Sequence, residues 1–201
     1  MEYIFLQLRE LIMSEASFSE RLNRIKDEIS KPEFLKNKGL GNEVGYYIFD
    51  YAPERELEVR EHIKVLKKQI PNIIEFDLYE IVMNFLKENG YLEDAFAMEE
   101  DGFENLISEL QPTLGLTEDG ESNKIIDYIV SNTPENSIIF VTGVGKVYPL
   151  VRSHTVLNNL HQKLYKVPVI MFFPGEYTGQ KLKLFNAVTD DNYYRAFPLC
   201  K

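Results

Sequence analysis

The 201-residue chain has one cysteine, Cys200, so no internal disulfide can form. That fits a reducing compartment. No run approaches the ~20 apolar residues of a membrane span. Met1 to Arg9 lacks a basic start followed by an apolar stretch, so it does not read as a secretory signal. A cytoplasmic location is the expectation. Positive charge is scarce: 22 Lys and Arg face 32 Asp and Glu, a formal net charge of -10. Phosphate contacts need basic surface, so direct nucleic-acid binding is disfavoured. Catalytic signatures are missing as well. There is no His-Glu-x-x-His, no Cys/His cluster and no Gly-x-Ser-x-Gly elbow. Cys200 has no obvious activating neighbour. No residue is assigned a catalytic or metal-binding role.

What charge there is falls unevenly. Glu93 to Glu121 holds ten acidic residues and no Lys or Arg. From Gly143 to Lys201 there are eight basic and three acidic residues, a local balance of +5, so residues 1–142 carry -15. An acidic body with a basic last third suits protein partners of either sign, or a local phosphate site. A solvated acidic face is the plainer reading of 93–121.

The most site-like stretch runs from Ser137 to Arg152. Ser137 to Val141 is apolar and β-branched, as suits a strand covered on both faces. Thr142-Gly143-Val144-Gly145 then turns the chain. Pro149 suits the first turn of a helix expected over about 150–165. A glycine turn between strand and helix leaves backbone N–H groups free for an anion. Lys146 and Arg152 add charge beside it. The nucleotide motifs are nevertheless incomplete. The first glycine position of a phosphate loop holds Phe140, and the residue after Lys146 is Val147. The third glycine position of the dinucleotide fingerprint holds Tyr148. A tight structural turn is the better-supported reading, with small-anion or nucleotide binding beside it.

Apolar spacing predicts helices over 3–31, broken near Ser14 to Ser17 and ended at Lys31-Pro32. Strands are expected at Val44 to Tyr51, Asn72 to Leu78, Ser137 to Val141, Val167 to Phe173 and, at an edge, Tyr193 to Leu199. Helices are expected after Pro53, with Leu57, Ile63, Leu66 and Ile70 toward the sheet, over Tyr79 to Asn89, and over Ser122 to Ser131. Residues 91–121 read as an acidic insertion with short helices, and Pro174 to Gly179 as a second glycine turn. The fold class is α/β: a three-layer, Rossmann-like, mainly parallel sheet of about five strands. Helices cover both faces and an N-terminal helical segment occupies 1–40. One domain, 1–201, is expected. Right-handed crossovers make an order such as 2-1-3-4 natural. Asp50 to Pro53, Gly143 to Arg152 and Pro174 to Gly179 would then gather at the switch point where open sheets place ligands.

Single residues carry two readings each. Asp50 and Asp77 end strands, where carboxylates bind Mg²⁺ or act as bases, and more often simply start helices. His154, Asn158, His161 and Tyr165 share one helix face and read best as a hydrogen-bonded stripe. Arg195, among Tyr193, Tyr194 and Phe197, serves structure or binding equally well.

The ordered set of motifs resembles the BrxB family of BREX bacteriophage-exclusion systems. Tyr51-Ala52-Pro53 with Glu54 and Glu56 opens it. Thr142-Gly143-Val144-Gly145 and Tyr148-Pro149-Leu150-Val151-Arg152 follow, then His154 and Leu157-Asn158-Asn159-Leu160. Phe172-Phe173-Pro174-Gly175-Glu176-Tyr177-Thr178-Gly179, then Leu182, Leu184 and Phe185, and Asn192-Tyr193-Tyr194-Arg195-Ala196-Phe197 close it. The resemblance spans about 44 to 199, and the acidic 91–121 segment carries none of it. It implies a small component of a bacterial antiviral system that also holds a large ATPase, a PglZ-type phosphatase-like protein and a DNA methyltransferase. The implied role is a non-enzymatic assembly or adaptor subunit binding those proteins, without a cofactor. The alternative is a nucleotide- or phosphate-binding regulatory domain, degenerate or active. The ligand- or partner-binding candidates are Asp50, Tyr51, Pro53, Thr142, Gly143, Gly145, Lys146, Tyr148, Arg152, His154, Gly175, Tyr177 and Arg195.

Overall fold

All five residues of strand β3, Ile138–Thr142, are buried. Their side chains alternate between two separate cores. Ile139 and Val141 enter one, Ile138 and Phe140 the other. The period of two in a strand makes this division automatic, and covering both faces explains an unbroken apolar run. The computed structural model describes residues 17–35, 45–116, 123–190 and 195–200. The first of the helices expected over 3–31, with most of the break near Ser14 to Ser17, Val44, the 117–122 end of the acidic segment and Tyr193-Tyr194 lie outside the described residues.

In chain order the elements are a helix α1 described over 17–29, α2 Pro32–Leu35, β1 Tyr46–Tyr51, a 3-10 turn Pro53–Arg55 and α3 Glu56–Gln69. Then come β2 Ile73–Asp77, α4 Leu78–Glu88, α5 Leu92–Asp101, α6 Phe103–Thr113, α7 Lys124–Ser131 and β3. The chain closes with α8 Val144–Val147, α9 Ser153–Lys163, β4 Val169–Tyr177, β5 Leu182–Leu184, β6 Val188–Asp190 and β7 Phe197–Pro198.

The central sheet has the order β2-β3-β4-β1-β7, with every pair in it parallel. Residues from α4, α7 and α9 build the core on one face, and α1 and α3 build the core on the other. The α/β class, with a mainly parallel sheet of about five strands between helices, is therefore as expected. The order is not. β1 stands beside β4, in register over six pairs from Tyr46↔Val169 to Tyr51↔Pro174. The chain leaves β1 through α3, crosses to the far edge at β2, and returns stepwise through β3 and β4. The outward step uses one face and the return steps the other, as a uniform crossover hand requires. That rule admits both orders, and the long apolar β4 takes the place beside β1.

Three local expectations change with it. Leu57 is 72% exposed, and Val59 takes its place in the core beside Ile63 and Leu66, which are buried as expected. The helix after the glycine turn does not begin at Pro149. A short helix, α8, starts directly after Gly143, and Pro149 follows Tyr148 through a cis bond in the link to α9. Pro174 to Tyr177 is not a turn but the second half of β4. It pairs antiparallel with β5, Gly175↔Leu184 through Tyr177↔Leu182, and β5 pairs with β6. Pro174 sits at the last rung with β1, where its missing N–H costs nothing, and its carbonyl accepts from Phe185 N at 2.9 Å. Phe185 and Asn186, with φ of 52° and 55°, then turn the chain in a three-residue loop to β6, and Ala187 N donates to Leu184 O at 3.0 Å.

Candidate functional site

Thr142 ends β3, and Gly143 takes φ 74° to start α8. Beside it in register, β2 ends at Asp77. Asp77 Oδ1 caps α4, accepting from Tyr79 N at 3.0 Å and Glu80 N at 3.4 Å. The Lys146 ammonium folds back and donates to Asp77 Oδ2. It also lies 5.3 Å from the centre of the Tyr79 ring. A Cβ on Gly143 would fall 2.3 Å from Asp77 Oδ1. The glycine is needed so that this carboxylate can approach. The protein's own acid thus lies against the glycine, and the cation beside the turn is already paired. Thr142 points elsewhere, its hydroxyl donating to Glu75 Oε1 at 2.9 Å, while Lys67 holds Glu75 Oε2 at 2.7 Å.

Gly145 is a packing residue too. Its Cβ would meet the Phe185 ring at 2.8 Å and Pro174 Cγ at 3.2 Å. At Gly175 the obstacle is backbone: Lys183 O would lie 2.1 Å away. Tyr148 meets Phe185 edge to face at 6.5 Å. Turn and hairpin are thus fitted to each other.

The end of β1 reaches the same hairpin from its other side. Asp50 Oδ2 accepts from Tyr177 N at 2.9 Å, and Asp50 Oδ1 receives Arg21 Nη2 at 2.6 Å. Arg21 also donates to the Asp50 carbonyl at 3.0 Å and to the Cys200 carbonyl at 2.9 Å. The Tyr177 hydroxyl donates to Ala196 O at 2.7 Å. The Tyr51 hydroxyl donates to Glu56 Oε2 at 2.5 Å, and Arg60 holds the other Glu56 oxygen at 2.7 Å. Burial first, then the Glu56 bond and charge, push the Tyr51 phenol above its ordinary range. Pro53 opens the 3-10 turn that leads into α3.

The expected gathering of loops at the carboxyl end of the sheet is therefore built around β4. Asp50 and Tyr51 meet one flank of Pro174 to Tyr177, and Gly145 and Tyr148 meet the hairpin from the other. Asp50 and Lys146 belong to separate clusters, each closed by its own counter-charge. Arg152 is exposed at the N-cap of α9 and makes no ion pair among the described residues. His154 is half-buried in the first turn of α9, and Arg195 is exposed just before β7. His161, from the same stripe, stacks on Tyr46 with centroids 3.7 Å apart, and burial lowers its pKa. Among the described residues no group of three His, Cys, Asp or Glu side chains is placed to hold a metal ion.

A second feature adjoins the turn. α4, α5, α6 and α8 wall an open cavity of about 200 Å³. Lys146, Val147 and Tyr148 line it on one side, and Phe96, Phe103 and Leu106 on the other. The sequence signal for it was present: Leu92, Ala95, Phe96, Phe103, Leu106, Ile107 and Leu110 recur at helical spacing inside the acidic segment. Arg21 had no such signal, because its three acceptors come from distant parts of the chain.

These features define a three-layer, Rossmann-like α/β protein whose strand-to-helix turn is closed by its own ion pair. The chain belongs to the BrxB family and is a component of a BREX system. Residues 74–199 match the family described as "BREX protein BrxB". A "BREX protein BrxB" from Bacillus cereus (strain H3081.97) is 46% identical over 187 residues, covering 90% of this chain and 96% of that one. Another, from Escherichia coli O9:H4 (strain HS), is 35% identical over 185 residues, covering 89% and 90%. No solved structure matches. Among the described residues no helix is long and apolar enough to cross a membrane.

Proposed function

We propose that this chain serves its BREX system as a non-enzymatic assembly or adaptor subunit that binds other BREX proteins. The PglZ-type phosphatase-like protein and the large ATPase are the expected partners. One observation carries the reading. At the turn where a nucleotide phosphate would sit, Lys146 is already held by Asp77, and Gly143 admits that carboxylate rather than a ligand. The formal charge of -10 supports protein rather than nucleic-acid partners. The test is to purify the components of one system separately, mix them, and read complexes by native mass spectrometry. A stable complex containing this chain is the expected result. Its absence with every component would overturn the reading.

A second reading, a nucleotide- or phosphate-responsive regulatory domain, is favoured by Arg152 alone. It is exposed, lacks an ion pair among the described residues, and follows the glycine turn closely in sequence. Under this reading a nucleotide with Mg²⁺ raises the melting temperature, and Arg152→Ala abolishes the rise. Under the adaptor reading neither protein responds.

A further inference from the structure

We infer that the cavity walled by α4, α5, α6 and α8 seats one basic, amphipathic helix of a protein partner. This rests on the assembly reading above and names the surface and chemistry it would use.

The cavity floor is apolar, built from residues such as Val82, Leu86, Ala95 and Leu110, all buried. Its lips are aromatic. Phe96 is 50% exposed and Phe103 is 51% exposed, one on each helix of the acidic pair. Two half-wet phenylalanines facing one cleft leave apolar surface that a partner would remove from water. At about 200 Å³ the space falls below the ~300–1,000 Å³ of small-molecule sites. It suits the anchoring side chains of a helix laid in a groove, at i, i+3, i+4 and i+7. With a rise of about 1.5 Å per residue, α5 and α6 offer roughly 15 Å, or about three turns of contact. No strand lines the cavity, so strand addition is not the mode here.

Charge selects the occupant. Five acidic residues lie on α5 (Glu93, Asp94, Glu99, Glu100, Asp101) and two on α6 (Glu104, Glu109), with no Lys or Arg on either helix. All seven are exposed, and none is in an ion pair among the described residues. Lys146, in the cavity lining, is already neutralised by Asp77. Glu99 lines the cavity, and the other six acids lie elsewhere on the two helices that wall it. A nucleic acid or an anionic lipid surface would be repelled by these helices. A second copy would bring the same acid against them. A helix with Lys or Arg flanking an apolar stripe meets the cleft, Glu99 in its lining and the acidic helices around it, and opposite charges speed and orient its docking.

The test uses the full chain and a peptide array tiling the sequences of the other components of its system. Bound peptides are expected to be basic and amphipathic, and added salt should weaken them. Phe96→Ser with Phe103→Ser should weaken binding by about tenfold or more, as loss of buried aromatic anchors does. Glu99→Lys with Glu100→Lys should weaken it and reduce its salt dependence. Leu57→Ser, on exposed α3 surface, should leave it unchanged. Circular dichroism checks that each variant is folded. If assembly of the whole complex persists at wild-type strength in the phenylalanine variant, the cavity is not the seat and the adaptor reading stands. If bound peptides are acidic or neutral, or none binds, the inference falls. If the wild-type chain joins no complex, the adaptor reading falls with it.

Discussion

The Lys146 ammonium reaches from the turn after β3 to the carboxylate of Asp77 at the end of β2. That carboxylate also caps α4 and occupies the space where Gly143 would carry a side chain. One acid thus joins two parallel strands and two helices, and the turn is closed from within.

Gly143→Ala should therefore cost more than its backbone angle accounts for. Gly90 has nearly the same φ, 75° against 74°, but open space where a Cβ would go. Gly90→Ala isolates the left-handed penalty of about 1 kcal/mol. Gly143→Ala adds displacement of Asp77, losing its cap at about 1 kcal/mol and its ion pair, so about 2–3 kcal/mol is expected in all. Urea denaturation of both variants measures the difference. Equal losses would show that the Asp77 approach is not what the glycine serves.

The two glycines at the contact between turn and hairpin should rank differently. A Cβ at Gly175 strikes the backbone of Lys183 and Leu184, which cannot move without opening the β4–β5 ladder. A Cβ at Gly145 strikes the ring of Phe185, which is 40% exposed and can swing outward. Amide exchange at Phe185, whose N–H bonds Pro174 O, reports the ladder directly. Gly175→Ala should speed that exchange strongly and Gly145→Ala only weakly. The reverse order would contradict this packing.

Arg21 is a clasp that Lys cannot replace. Its guanidinium serves Asp50 Oδ1, the Asp50 carbonyl and the Cys200 carbonyl together. Bonds to charged groups are worth about 1.5–3 kcal/mol when part-buried. Arg21→Ala should lose about 2 kcal/mol in denaturant unfolding. Arg21→Lys should recover little, because a point charge lacks the planar fork. Full recovery by Lys would mean that only charge matters there.

Acid and alkali should each weaken the fold through identifiable rings. His62 and His161 have buried, unpartnered Nε2 atoms, and burial lowers both pKa values. A lowered folded pKa means that the unfolded chain binds the proton more readily. Stability is then fully present above the unfolded value near ~6.5 and is lost as pH falls below it. His161→Gln should flatten the acid limb of a stability–pH curve. Tyr46 and Tyr51 lie at the other end, with burial raising both phenols well above their ordinary range. Their contribution is full below ~10 and is lost as pH rises beyond it, so Tyr51→Phe should delay alkaline unfolding. Unchanged limbs in both variants would exclude these rings as the cause.

The strands were legible because burial on both faces leaves little choice. Ile138 to Val141 and Val169 to Phe173 are apolar at every position, and no polar residue interrupts them. The turn at Gly143 was legible as a turn, and its filling was not. Asp77 lies 69 positions before Lys146, and only the pairing of β2 with β3 brings them together. Strand order failed for a related reason: crossover hand constrains direction and face, not which strand lies beside β1. Pro174-Gly175 read as a turn because both residues break strands in general. Here they are the point at which β4 changes partner from β1 to β5, where a missing N–H is tolerated and a missing Cβ is required. Arg21 carried no sequence signal at all. The groove did, in the apolar spacing beneath the acids of α5 and α6, but the charge of that segment outweighed its pattern.

β4 enters the molecule as the middle plank of a parallel floor and leaves it as one leg of a hairpin. Any protein that grips that hairpin takes hold of the central strand without an intervening hinge. A pull there would shear the hydrogen bonds along both β1 and β3 at once, the direction in which sheets resist force best.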